Sequence, residues 1–237
     1  MIEQYLFAQM DILGFSNLIM EPPRNISLNN IKISYEYIFK NDLLTNKQII
    51  LQNIPNYTAF SDTIFIYSKI NNENILDFFK YISCILQNSI TTIKKEQEKV
   101  VPELCYKFPI RGAISIGDLI IEPVLIGKPI ISSYRWERVQ NWLGVSLPPD
   151  VKLIDYIDKA IYEKLINTNL LINYDVPTKF GIVPTKVVNF ITKDNKSMLL
   201  NIIEEEISVQ TSKEVIAKYY ATKLIIEYIV AKNLFLI

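Results

Sequence analysis

Residues 72–99 limit the fold more than any other stretch. Ile75, Phe78, Phe79, Ile82, Ile85, Leu86, Ile90 and Ile93 recur every three or four positions, the period of a helix with one apolar face. Such a face must be covered, and the flanking segments supply the cover. Before it, residues 47–68 are rich in Ile, Tyr, Phe and Thr and bend at Ser61-Asp62, reading as a hairpin. After it, residues 104–121 read as two strands punctuated by Gly112 and Gly117. Hairpins separated by helices, rather than strict strand–helix alternation, predict an α+β domain: a ferredoxin-like antiparallel sheet with helices on one face.

The rest of the chain extends this plan. An opening strand runs into FAQMDILGFS, residues 7–16, and Pro22-Pro23 interrupts any long helix after it. Helices are expected over 28–44, over the segment carrying Tyr134, Arg135, Glu137, Gln140 and Trp142, and over 154–171. Strands are expected at 186–191 and 197–203. A capping box of Thr211 and Glu214 should start a terminal helix. We expect one domain over 1–237, with a core of about residues 5–145 and a C-terminal α/β extension of about residues 150–237.

Composition removes several chemistries. The chain has no histidine, so acid, base or metal chemistry falls to carboxylates, Lys, Tyr, the two cysteines or the substrate. Cys84 and Cys105 show no ligand spacing and read as buried thiols of a reducing compartment, the cytoplasm. Lys plus Arg equals Asp plus Glu at 25 each, so no global field recruits nucleic acid or an anionic membrane. The start has no basic region of a secretory signal, and Lys223, Glu227 and Lys232 break the C-terminal apolar run into an amphipathic helix rather than a membrane span.

Two carboxylates then stand out. Asp11 ends the first apolar run just before the Gly14-Phe15-Ser16 turn, and Asp62 sits at the hairpin bend. On the predicted architecture the strand tip and the bend are neighbours, so the two acids would face one cavity. Gly14 lets the backbone turn closely, and the amides of Phe15 and Ser16 could open a helix whose N-terminus binds phosphates.

These residues resemble the class III nucleotidyl cyclases. Met10-Asp11-Ile12-Leu13-Gly14-Phe15-Ser16 is similar to the family's first metal motif, and Phe60-Ser61-Asp62-Thr63 to its second. Arg111-Gly112-Ala113-Ile114-Ser115-Ile116-Gly117 resembles its Arg-x-Gly strand, while Gly127, Ile130 and Arg135 fall on its Gly-x-x-Val-Asn-x-x-x-Arg segment. The asparagine of that segment is replaced by Ile131, and the purine-reading Lys and Asp, expected near 56–58 and near Val124, are absent. Glu137-x-x-Gln140-Asn141-Trp142-x-Gly144 and the long C-terminal part are similar to the bacterial pyrimidine cyclases of Pycsar antiphage systems.

The resemblance implies a two-metal cyclisation. Asp11 and Asp62, with the carbonyl of Ile12, would hold two Mn²⁺ or Mg²⁺ ions, and Arg135 would steady the transferring phosphoryl group. Gly14, Phe15, Ser16, Arg111 and Tyr57 would contact substrate, Tyr57 at the base. It further implies UTP, or else CTP, as substrate, a homodimer with shared sites, and a cyclic-nucleotide-responsive effector downstream. A purine cyclase and a catalytically inactive nucleotide-binding module are the alternatives.

Overall fold

The computed structural model describes residues 3–21, 27–39, 51–90 and 108–236. Its first half runs β1 (Glu3–Ile12), α1 (Phe15–Met20), α2 (Leu28–Phe39), β2 (Asn56–Phe60), β3 (Thr63–Lys69), α3 (Asn72–Ile90) and β4 (Ile110–Ile120). The four strands lie in the order β2-β3-β1-β4, each antiparallel to its neighbour. That is the ferredoxin-like arrangement, and the α+β expectation holds. Residues 40–50 and 91–107, which include the expected continuations of both helices, the start of the hairpin and Cys105, lie outside the described residues.

The second half adds β5 (Ile126–Gly127), α4 (Lys128–Val139), β6 (Gly144–Ser146), a 3-10 turn (Leu153–Asp155), α5 (Lys159–Asn167), β7 (Leu171–Thr178), β8 (Gly181–Val188), α6 (Lys196–Val209) and α7 (Lys213–Lys232). β6 joins β4 in parallel, and β8 and β7 continue the sheet beyond it, while β5 pairs only with the end of β4. Among the described residues no helix is long and apolar enough to cross a membrane.

Side chains alternate across a strand, so register sorts the sheet into two faces. Leu6, Ala8 and Met10 of β1 share one face with Ile64 and Ile66 of β3 and Ile114 and Ile116 of β4. They form one core with Phe78, Phe79, Ile82 and Ile85 of α3, all fully buried. One charged group inside this helix has a structural use: Asp77 Oδ2 accepts the amides of Gln52 and Asn53 at 2.8 Å each, fastening the approach to β2. Cys84 lies buried on the same helix, and burial pushes its thiol up to about 12, which keeps it protonated and inert.

Several sequence expectations are corrected. Residues 110–120 form one strand, not two, because Gly112 is no turn: a Cβ there would stand 2.6 Å from Met10 Cγ and 2.7 Å from the Gln9 carbonyl. α4 stops at Val139, leaving Gln140 and Trp142 in the connection to β6. The helix expected over 154–171 is a 3-10 turn followed by the shorter α5, and β7 already begins at Leu171. The strand expected at 197–203 is α6, which buries Leu199 and Ile203 one turn apart. The terminal helix forms as expected, but its cap is Ser212, whose hydroxyl accepts from the Val215 amide, not Thr211.

α7 is tied to the sheet through Thr222, whose hydroxyl accepts from the Leu143 amide and donates to the Lys218 carbonyl, both at 2.8 Å. Thr222 is fully buried, so Thr222→Val leaves an amide without an acceptor. We expect a loss of about 1–3 kcal/mol in urea unfolding with an unchanged m-value. Stability equal to wild type would mean that this hydrogen bond does not hold the helix.

Candidate active site

Asp11 stands at the end of β1, with Thr63 of β3 directly opposite on one side and Arg111 of β4 on the other. The hairpin bend reaches the same point, because the Ile12 amide donates to the Asp62 carbonyl at 2.9 Å. The bend is tight: Ser61 adopts a left-handed φ of 57°. The expected neighbourhood of the two aspartates is thus present. Ile12 itself is buried, with its side chain in the core.

After Asp11 the chain turns through Gly14, at φ 77°, where only glycine is comfortable. The first helical bond of α1 runs from the Leu18 amide to the Gly14 carbonyl, so the amides of Phe15 and Ser16 precede the helix's own ladder. Phe15 packs its ring against Tyr35 and Phe108, whereas Ser16 is exposed.

Arg111 is committed within the protein. Its Nε donates to Glu137 Oε1 at 2.6 Å, its Nη2 also meets that oxygen, and its Nη1 donates to the Gln140 carbonyl at 3.1 Å. Nη2 lies 3.9 Å from Asp11 Oδ2. The guanidinium is buried together with Glu137, so its donors are engaged within the chain beside Asp11.

The Glu137–Gly144 motif is a scaffold for this arrangement. Gln140 Nε2 donates to the Gly112 carbonyl, and its Oε1 accepts from both Trp142 Nε1 and Ser146 Oγ, while Trp136 Nε1 donates to Ser146. Trp142 is fully buried. Gly144 has φ 151°, and a Cβ on it would stand 2.4 Å from the Trp142 ring. The motif therefore spends its unusual residues on packing and on Arg111.

The electrostatics follow from this crowding. Asp11 is raised from its ordinary 3.8 to about 6, by burial first and then by the charges of Glu137 and Asp62, against the pull of Arg111 and Lys218. Glu137 is also raised by burial, against the pull of Arg111. Lys218, buried on α7 and paired with Glu214 at 2.8 Å, is a charged residue near the site that the motifs did not show. Its only sequence trace is the Glu214/Lys218 pair one helical turn apart, an ordinary surface pattern.

Two expected site residues are placed elsewhere. Arg135 is exposed on α4 and makes no hydrogen bond or ion pair among the described residues. Two positions along a helix is over half a turn, so with Glu137 turned toward Arg111, Arg135 points away from its own chain's Asp11. Tyr57 lies opposite Ile66, which lies opposite Ala8. It is therefore on the face remote from Asp11, stacked on Phe39 at 4.9 Å, and is not brought together with Asp11 within one chain. Phe60, Thr58 and Asn56, opposite Thr63, Phe65 and Tyr67, are the β2 residues on Asp11's face. Val124 is exposed in the turn between β4 and β5.

The donor set suits a hard cation. Among the described residues no cluster of three or more His, Cys, Asp or Glu could hold a metal. Asp11 and Asp62 offer carboxylate oxygens alone, donors that could hold a hard divalent cation with water completing its shell.

No protein-family model and no curated protein matches the chain. Three of the similar solved structures are cyclases or cyclase domains. The adenylyl cyclase CyaB from P. aeruginosa matches with TM-score 0.49 and 11% identity, over 82% of this chain and 97% of its own. The monomeric guanylyl cyclase domain of the RhoGC fusion protein from the aquatic fungus Blastocladiella emersonii has TM-score 0.45 and 11% identity, over 79% and 95%. The guanylyl cyclase Cya2 has TM-score 0.44 and 12% identity, over 79% and 91%.

Proposed function

We propose that this protein is a metal-dependent nucleotidyl cyclase acting on a pyrimidine nucleoside triphosphate, converting UTP to 3′,5′-cyclic UMP and pyrophosphate. The observation that carries the reading is the meeting of Asp11, in its Asp-Ile-Leu-Gly-Phe-Ser motif, with the Asp62 bend through the Ile12 to Asp62 backbone bond. Asp11, Asp62 and the Ile12 carbonyl would hold Mn²⁺ or Mg²⁺, which when bound would activate the ribose 3′-hydroxyl and neutralise the departing pyrophosphate.

The chain's own residues do the rest. The Gly14 turn presents the Phe15 and Ser16 amides to the β- and γ-phosphates. Arg135, free and turned outward, serves the site of a second copy, so the enzyme is a homodimer with shared sites. Exposed Ile131 and Tyr134 on the same helix as Arg135 supply apolar surface for that contact. On β2 the base is met by Thr58 and Asn56, whose short polar side chains replace a long cationic one. The product is a second messenger for an effector in antiviral defence.

Incubation of the protein with each of the four nucleoside triphosphates and Mn²⁺ tests the reading by product identity. Cyclic UMP is expected as the main product, and Thr58→Lys is expected to lower UTP turnover at least about tenfold relative to ATP, a shift of the size one polar contact commands. Cyclic CMP or a cyclic purine would move the substrate assignment. Nucleotide binding without any cyclic product would make the chain an inactive module.

A further inference from the structure

We propose that Glu137 is a positioning residue that holds Arg111 off Asp11 and so keeps the aspartate available to a divalent cation. The proposal rests on the reading of Asp11 and Asp62 as cation ligands and adds a residue outside that pair.

Among the described residues Arg111 is the nearest cation to Asp11, and it is a natural competitor for it. The two face each other directly across β1 and β4, yet Nη2 stops at 3.9 Å from Oδ2, beyond hydrogen-bond reach. What stops it is on the other side. Glu137 takes both Nε and Nη2 on a single oxygen, and the Gln140 carbonyl takes Nη1. Those partners sit at the end of α4 and just past it, and Gln140 is locked in turn by Gly112, Trp142 and Ser146.

With Glu137 neutral, the buried guanidinium loses its counter-charge, and among the described residues the other carboxylate within 4 Å of it is Asp11. A charge-assisted, two-pronged Arg–Asp bond would then form where the metal should sit. Glu137 therefore acts on the metal site through Arg111 and touches neither metal nor substrate.

The test is Mn²⁺ binding, followed by electron paramagnetic resonance of free Mn²⁺ without nucleotide, on the full chain. Wild type is expected to bind and Asp62→Ala to lose binding. Absence of binding to wild type would sink the cation reading itself, and the proposal with it. Given wild-type binding, Glu137→Gln should bind Mn²⁺ at least about tenfold more weakly. The double variant Arg111→Met/Glu137→Gln, which removes competitor and counterweight together, should return to within about threefold of wild type.

A folded Glu137→Gln that binds like wild type overturns the proposal, as does a double variant as weak as the single one. Should Glu137→Gln fail to fold, the double variant decides alone, since replacing both members of a buried pair is better tolerated than removing one. A residue with a merely structural role would give no recovery in the double variant.

Discussion

On the proposed two-metal mechanism, Asp11→Ala should lower cyclisation by about a thousandfold or more, because the chain has no histidine and, among the described residues, no group of three acids could take over a metal. Asp62→Ala should match it, and circular dichroism should show both variants folded. Retained turnover in either would end the two-carboxylate mechanism.

The same side chain should leave a mark on the stability of the metal-free protein. Its folded pKa, about 6, lies above the ordinary 3.8 because of burial and the nearby charges of Glu137 and Asp62. An acid raised in this way binds more protons folded than unfolded between about pH 4 and pH 6, so stability falls as pH rises through that window and stays lower above it. With the side chain 28% exposed, solvent screening leaves about 1–2 kcal/mol of this effect. Asp11→Asn should therefore have a higher Tm than wild type at pH 7.5 and lose that advantage near pH 4. Mn²⁺ should raise the wild-type Tm at pH 7.5 and leave the variant's unchanged. Identical pH profiles for the two proteins would contradict the charge crowding around Asp11.

Trp142→Ala is expected to have the largest effect on the fold. The ring is fully buried, and it fills the space a Cβ on Gly144 would take. Removing it costs about 3–5 kcal/mol by cavity formation, and Gln140 Oε1 loses a donor as well. Trp142→Phe keeps most of the apolar area and loses the N–H, costing about 1–2 kcal/mol. Urea midpoints followed by far-ultraviolet circular dichroism should rank wild type, then Phe, then Ala. An Ala variant as stable as the Phe variant would mean that the ring's volume is not what holds the motif.

The elements legible in the sequence were those whose information is local. The three- and four-residue spacing of Ile75 to Ile90 specifies α3, Ser61-Asp62 marks the bend between β2 and β3, and the first apolar run ends in Asp11 before a glycine. Local patterns misled where two structures share one. A glycine inside an apolar run reads as a turn, yet at Gly112 it permits β4 to approach Met10 and Gln9 closely. The short apolar run at 197–203 suits a strand or a helix, and only burial of Leu199 and Ile203 on one face of α6 separates them.

The candidate site divides in the same way. Sequence by itself determined which acids are available and, through the order of strands and helices, that Asp11 and Asp62 would meet. The tertiary structure alone decided which side chains share their face. A shift of one residue in strand register exchanges the faces, and the observed pairing turns Thr58 toward Asp11 and Tyr57 away. It also joined Arg111 to Glu137, 26 positions apart, and brought Lys218 of α7 close enough to act on Asp11. Local propensity extends over a few residues, whereas the charges that set an aspartate's affinity for a cation act through space.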